Sequence, residues 1–163
     1  MKKSKAKDIA FYGIMIALAF IFSYLESFIP VNALIPIPGV KLGLANIVIL
    51  FALYTNSIKQ AIVIAIIRVL LAGLLFGNPM TIAYSLCGCA LSLMIMWATK
   101  KTSLSIIGVS MLGGIFHNIG QLIMAVILTS TIQITYYVPV LLISGLLTGL
   151  LMGFAAKLVI ERI

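Results

Sequence analysis

The sequence predicts an all-α integral membrane protein, one domain of six transmembrane helices with both ends on the cytoplasmic side of an inner membrane. Three observations lead there. Of 163 residues, 63% are hydrophobic and 9% are charged, and the mean hydropathy is +1.27; a soluble domain carries about a quarter charged residues. Apolar runs recur along the whole chain, and at roughly 20 residues per crossing they leave room for six or seven helices and no soluble domain. Basic residues outnumber acids 11 to 3, and they fall where cytoplasmic loops carry them.

The first helix is expected over residues 9–29, after the basic segment MKKSKAKD. Its apolar run is too long for a secretory h-region and leads into SFIPVN rather than a small-residue cleavage site, so it reads as a retained helix. The connection PVNALIPIPGVK contains Pro30, Pro36, Pro38 and Gly39. Each proline removes a backbone donor and clashes with the preceding turn, which excludes regular helix. A second helix over 42–55 would be only about 21 Å long at ~1.5 Å per residue, short of the ~30 Å hydrocarbon core. The segment NSIK leads to a third helix over 60–76, and GNP at 77–79 makes a tight turn. A fourth helix over 80–98 ends at Lys100 and Lys101, and a fifth covers 104–128. The polar stretch TSTIQITYY separates it from a sixth over 138–160.

With the N-terminus inside, the cytoplasmic side collects Lys2, Lys3, Lys5, Lys7, Lys59, Lys100, Lys101, Lys157 and Arg162. Lys41 lies on the outer side and Arg68 within the third helix. The inverted topology would violate the positive-inside rule. Membrane topology therefore accounts for the basic excess. No basic run is interleaved with aromatics, so nucleic acid is set aside as a partner.

Two helices carry small-residue stripes, which let helix backbones approach closely in lipid. Ala6, Ala10, Gly13 and Ala17 share a face of the first helix, and Gly145, Gly149 and Gly153 form a GxxxGxxxG stripe in the sixth. Either stripe suits internal packing; the first also suits docking of a partner membrane subunit.

Several chemistries are excluded. The acids are Asp8, Glu26 and Glu161, too dispersed to hold magnesium for diphosphate chemistry or to form an acid/base pair. There is one histidine, and Cys87 and Cys89 in a C-G-C point to different sides of a helix, which suits packing better than ligation. No GxxxxGK[ST] occurs, so ATP is not bound through a P-loop. The expectation is a protein with no cofactor and no metal that is not an enzyme by itself. Uphill movement of a solute would draw on a partner or an ion gradient.

Ionisable groups at membrane depth cost about 2.5–3.5 kcal/mol on insertion scales and usually face a cavity or partner. Arg68, permanently charged, reads as an internal anchor or a substrate-facing cation. His117 and Gln121 are i and i+4 on the fifth helix, with Asn118 beside them and Gly113 and Gly120 thinning the helix. That face suits a ligand or interhelical hydrogen bonding. Lys41 and Asn46 flank the expected start of the second helix, where Lys41 could snorkel or help grip an anion. Glu26 is the available counter-charge for Lys41 or Arg68. Together these residues predict a polar, net-positive patch in the outer half of the bundle, under the proline-rich connection. Its expected ligand is small, partly apolar and anionic.

The segments PGVKLGLAN, HNIGQL and YVPVLLISGLLTG resemble the Gx transporter family, also described as heptaprenyl diphosphate synthase component I. That family in turn is similar to the substrate-binding S components of energy-coupling-factor (ECF) transporters of the bacterial cell membrane. The resemblance implies an S-component-like six-helix bundle that captures a micronutrient or a cofactor or quinone-isoprenoid precursor from outside. It also implies partnership with a transmembrane T subunit and two ATPase subunits, and Ala6 and Ala10 match the family's AxxxA docking pattern. The synthase description sits poorly with a chain whose one aspartate is Asp8. Two rival functions follow: a non-catalytic accessory subunit of polyprenyl diphosphate or quinone biosynthesis, and a secondary transporter acting alone.

Overall fold

A computed structural model describes residues 5–29 and 41–162. Among the described residues six α-helices pack as a bundle: α1 (Lys5–Ser27), α2 (Asn46–Thr55), α3 (Ile58–Phe76), α4 (Pro79–Thr99), α5 (Ile106–Thr129) and α6 (Val138–Ile160). A 3₁₀ helix, Ile132–Tyr137, leads into α6, so the polar stretch before the last helix has regular structure of its own. Among the described residues five spans are long and apolar enough to cross a membrane, while α2 has only ten residues. The chain is thus an integral membrane helical bundle, with α2 as a helix too short to cross alone.

Local chemistry sets most boundaries. Ser57 caps α3 by accepting from the Gln60 amide at 3.4 Å, and Ser105 caps α5 through Gly108 at 3.1 Å. Asn78 accepts from the Thr81 amide at 2.9 Å, with Pro79 in the first turn of α4 where its missing donor costs nothing. The α1 helix begins four residues earlier than expected and ends at Ser27. The largest difference is in the second helix, expected from residue 42. Residues 41–45 are not helical, and Gly43 takes a φ of +85°, a left-handed conformation that a side chain would strain. Most of the proline-rich connection lies outside the described residues.

The two glycine-rich helices, α5 and α6, meet backbone to backbone. A Cβ on Gly145 would come within 2.6 Å of the Gly114 carbonyl, and one on Gly149 within 2.6 Å of the Ser110 carbonyl. The GxxxGxxxG stripe is therefore spent on internal packing. On α5, Gly113 abuts Met96 and Ser92, and Gly120 abuts the Cys87–Gly88 backbone of α4. Those glycines bring helices together rather than opening space for a ligand. In contrast, Ala6, Ala10, Gly13 and Ala17 are all exposed, and a Cβ on Gly13 would touch nothing within 4 Å.

The chain's turns place the ends. Lys100, after α4, donates to the Leu53 carbonyl at 2.6 Å near the end of α2. Phe76, at the end of α3, stacks on Phe20 and Tyr24 in the second half of α1, with ring centroids 5.2 and 5.5 Å apart. Lys59, Lys100, Lys101, Lys157 and Arg162 therefore gather at one end of the bundle, and Lys41 lies away from it.

Candidate functional site: a buried polar cluster around residues 41–46

Where α2 stops short, the segment 41–45 dips into the bundle and polar side chains from four other helices meet it. From α1 come Ser23 and Glu26, from α3 Arg68, from α4 Cys89, and from α5 His117 and Gln121, all buried. Asn46 opens α2 beside them. The i, i+3 spacing of Ser23 and Glu26 and the i, i+4 spacing of His117 and Gln121 give each helix one polar face.

The hydrogen bonds tie the segment down. The Gly43 amide donates to Glu26 Oε1 at 2.5 Å, and the Lys41 amide donates to Gln121 Oε1 at 3.1 Å. Gln121 Nε2 lies 2.9 Å from His117 Nε2, which fixes both side chains. The His117 ring is wedged between two glycines: a Cβ on Gly43 would meet its Cδ2 at 3.1 Å, and one on Gly88 its Cε1 at 3.1 Å. Arg68 donates to Ser23 Oγ at 3.3 Å and to Cys89 Sγ at 2.6 Å.

Charge in the cluster is only loosely compensated. Glu26 lies within Coulomb reach of Arg68 and Lys41, yet the ion pair among the described residues is Lys157 with Glu161 at 3.6 Å. Glu26 instead spends one oxygen on backbone. The Lys41 ammonium rests 5.7 Å from the Phe76 ring centroid. Burial holds it below the usual lysine range, with the Glu26 carboxylate pulling the other way. Two cations against one acid leave a net positive site.

Not every group is satisfied. Among the described residues, the cluster's Glu26 Oε2, Asn46 Oδ1, Arg68 Nε and His117 Nδ1 are buried without a hydrogen-bond partner. Each such group costs about 1–3 kcal/mol, and four of them in one cluster would be relieved by a polar ligand or water.

Six of the seven expected binding residues thus converge: Glu26, Lys41, Asn46, Arg68, His117 and Gln121. The seventh, Asn118, turns away and donates to the Leu141 carbonyl at 2.8 Å and Ser144 Oγ at 3.0 Å, joining α5 to α6. Lys41 precedes the first residue of α2 by five positions, so it does not sit at that helix's N-terminus as expected. Sequence reasoning missed Ser23, Cys89, Gly43 and Gly88. The spacing of Ser23 from Glu26 was a usable signal; the pairing of Cys89 with Arg68 is tertiary and left none.

Fold and site define a multi-pass helical membrane protein with a net-positive polar cluster inside the bundle. Residues 15–159 match the family described as heptaprenyl diphosphate synthase component I, and the chain belongs to that family. No curated protein and no solved structure matches the chain.

Proposed function

We propose that the chain is a substrate-binding membrane subunit, S-component-like, that captures a small anionic organic molecule for uptake and does no chemistry of its own. The observation that carries this is the cluster of buried, unpartnered polar atoms at Glu26, Asn46 and Arg68 in a net-positive site. A carboxylate or phosphate would meet Arg68 and Lys41, and the remaining ligand polar groups would meet Asn46, His117 and Gln121. The segment 41–45 occupies part of the site through its own amides, so ligand entry requires that segment to shift. The exposed stripe of Ala6, Ala10, Gly13 and Ala17 suits close docking of a partner helix, here assigned to a transmembrane T subunit coupled to two ATPase subunits. Such a subunit sits in the bacterial cytoplasmic membrane with its lysine-rich end inside.

Mass spectrometry of small molecules released from the protein purified in mild detergent tests this reading. A stoichiometric anionic compound present with the wild type and absent from His117→Ala and Lys41→Ala supports it. Unaltered release from both variants removes the site assignment.

The family description favours a second reading, a non-catalytic accessory subunit of polyprenyl diphosphate biosynthesis. It predicts a soluble synthase on co-purification and a polyprenyl diphosphate as the released molecule. ATPase subunits in the same experiment favour the transport reading.

A further inference from the structure

A groove of about 470 Å³ runs along the seam between α3 and α4 and shares Cys89 with the polar cluster. Small residues create it: Ala65, Cys89 and Ala90 form a floor too shallow to fill the space between the helices. Ile62, Met94 and Trp97 form its rims, each at least 40% exposed on the outer surface of the bundle.

The dimensions and the ends of the groove identify its occupant. From Leu86 to Trp97 it follows α4 for about 16 Å at ~1.5 Å per residue. That is close to half of the ~30 Å hydrocarbon thickness, so the groove is one leaflet deep. Its mouth lies at the lysine-rich end. Lys101 Nζ stands 4.2 Å from the Trp97 ring centroid, and exposed Lys59 follows Ile58, which lines the mouth. Lys100 is engaged elsewhere, on the Leu53 carbonyl. An apolar slot of one-leaflet length with two exposed lysines at the headgroup level matches a phosphate-headed lipid.

We propose that this groove binds one acyl chain of an anionic phospholipid from the leaflet on the lysine side, with the phosphate held by Lys101 and Lys59. Cys89 apart, the groove is lined by residues outside the substrate cluster, and the proposal stands whether or not the transport reading does. A polyprenyl chain much longer than one leaflet would have to continue past Leu86. At its inner end the occupant presses on Cys89, whose sulfur accepts from Arg68, so lipid occupancy bears on one wall of the polar cluster.

Trp97 is the one tryptophan of the chain and reports the groove directly. The full chain is reconstituted in phosphatidylcholine vesicles, and its fluorescence is followed as phosphatidylglycerol with brominated acyl chains replaces part of the lipid. Brominated phosphatidylcholine serves as the neutral comparison. The expected result is half-maximal quenching by the anionic lipid at about a thirty-fold lower mole fraction, since the two lysines near the surface contribute independently. Lys59→Gln combined with Lys101→Gln should bring the two lipids together. Ala90→Phe, with unchanged helix content by circular dichroism, should abolish the tight component. If Ala90→Phe does not fold, the lysine variant decides alone, because both lysines are exposed. Equal quenching by the two lipids in the wild type overturns the proposal, as does a preference that survives the lysine variant. Relief of quenching by a polyprenyl diphosphate at lower concentration than unbrominated phosphatidylglycerol overturns it in favour of an isoprenoid occupant.

Discussion

Arg68 is where structural and functional explanations separate. It is buried to 3% exposure, donates to Ser23 and Cys89, and keeps Nε unpartnered among the described residues. A buried charge held this way stabilises a fold poorly, because its desolvation offsets what its neighbours return, and apolar replacements of similar volume are often neutral or stabilising. Arg68→Met combined with Glu26→Gln, which removes both buried charges, should therefore leave thermal unfolding in detergent within about 1 kcal/mol of the wild type, or raise it, while abolishing ligand release. A loss beyond about 3 kcal/mol would mark the two charges as a structural anchor instead. Gly43 makes the opposite case. Its φ of +85° costs an L-residue about 1–2 kcal/mol, and a Cβ there would come within 2.8 Å of Asn46 Nδ2. Gly43→Ala should lower stability by about that much and weaken binding, read in the same unfolding and release measurements. Of these features, the i, i+4 pairing of His117 and Gln121 was legible in the sequence because helical spacing fixes it. The left-handed Gly43 was not, since an apolar run with no proline after Gly39 reads as helix.

Among the elements, small residues have two distinct uses that sequence spacing cannot tell apart. The α6 stripe of Gly145, Gly149 and Gly153, spaced by four, and the α1 stripe of Ala6, Ala10, Gly13 and Ala17, spaced 4-3-4, each line one helix face with small residues. Only the fold shows that the first is filled by α5 and that the second faces outward. Gly145→Ala should cost about 1–3 kcal/mol of stability through overpacking against the Gly114 carbonyl, whereas Gly13→Ala should be neutral in the isolated chain. Comparable losses from the two changes would mean that α1 is already packed on its small face. Helix α2 teaches a related lesson. Its apolar run predicted a crossing, but Gly43 and the amides committed to Glu26 and Gln121 delay the helix to Asn46. Five helices were legible as long apolar runs, with ends set by Ser57, Asn78 and Ser105. The sixth was shortened by tertiary hydrogen bonds that leave no periodic trace.

For the whole molecule, the asymmetry of charge and of helix faces makes one joint prediction about orientation and assembly. The described cations Lys59, Lys100, Lys101, Lys157 and Arg162 cluster at one end, as the turn connectivity and the Lys100–Leu53 bond require. The positive-inside rule predicts a cytoplasmic position for that end, and it is also where the outward stripe of α1 begins, at Ala6. A partner that couples ATP hydrolysis to this chain has to reach it from the cytoplasmic side, so stripe and lysine end should work together. Single cysteines at exposed Lys59 and Lys101, in a chain with Cys87→Ala and Cys89→Ala, should be protected from impermeant thiol reagent in intact cells and labelled in inverted vesicles. Ala10→Leu with Gly13→Leu should then leave this labelling pattern and thermal stability unchanged, because neither side chain meets the bundle, yet prevent co-purification of ATPase subunits. Retained ATPase subunits with both leucines in place would remove α1 as the docking face. Labelling of the lysine end from outside would overturn the orientation and with it any cytoplasmic partner at that end.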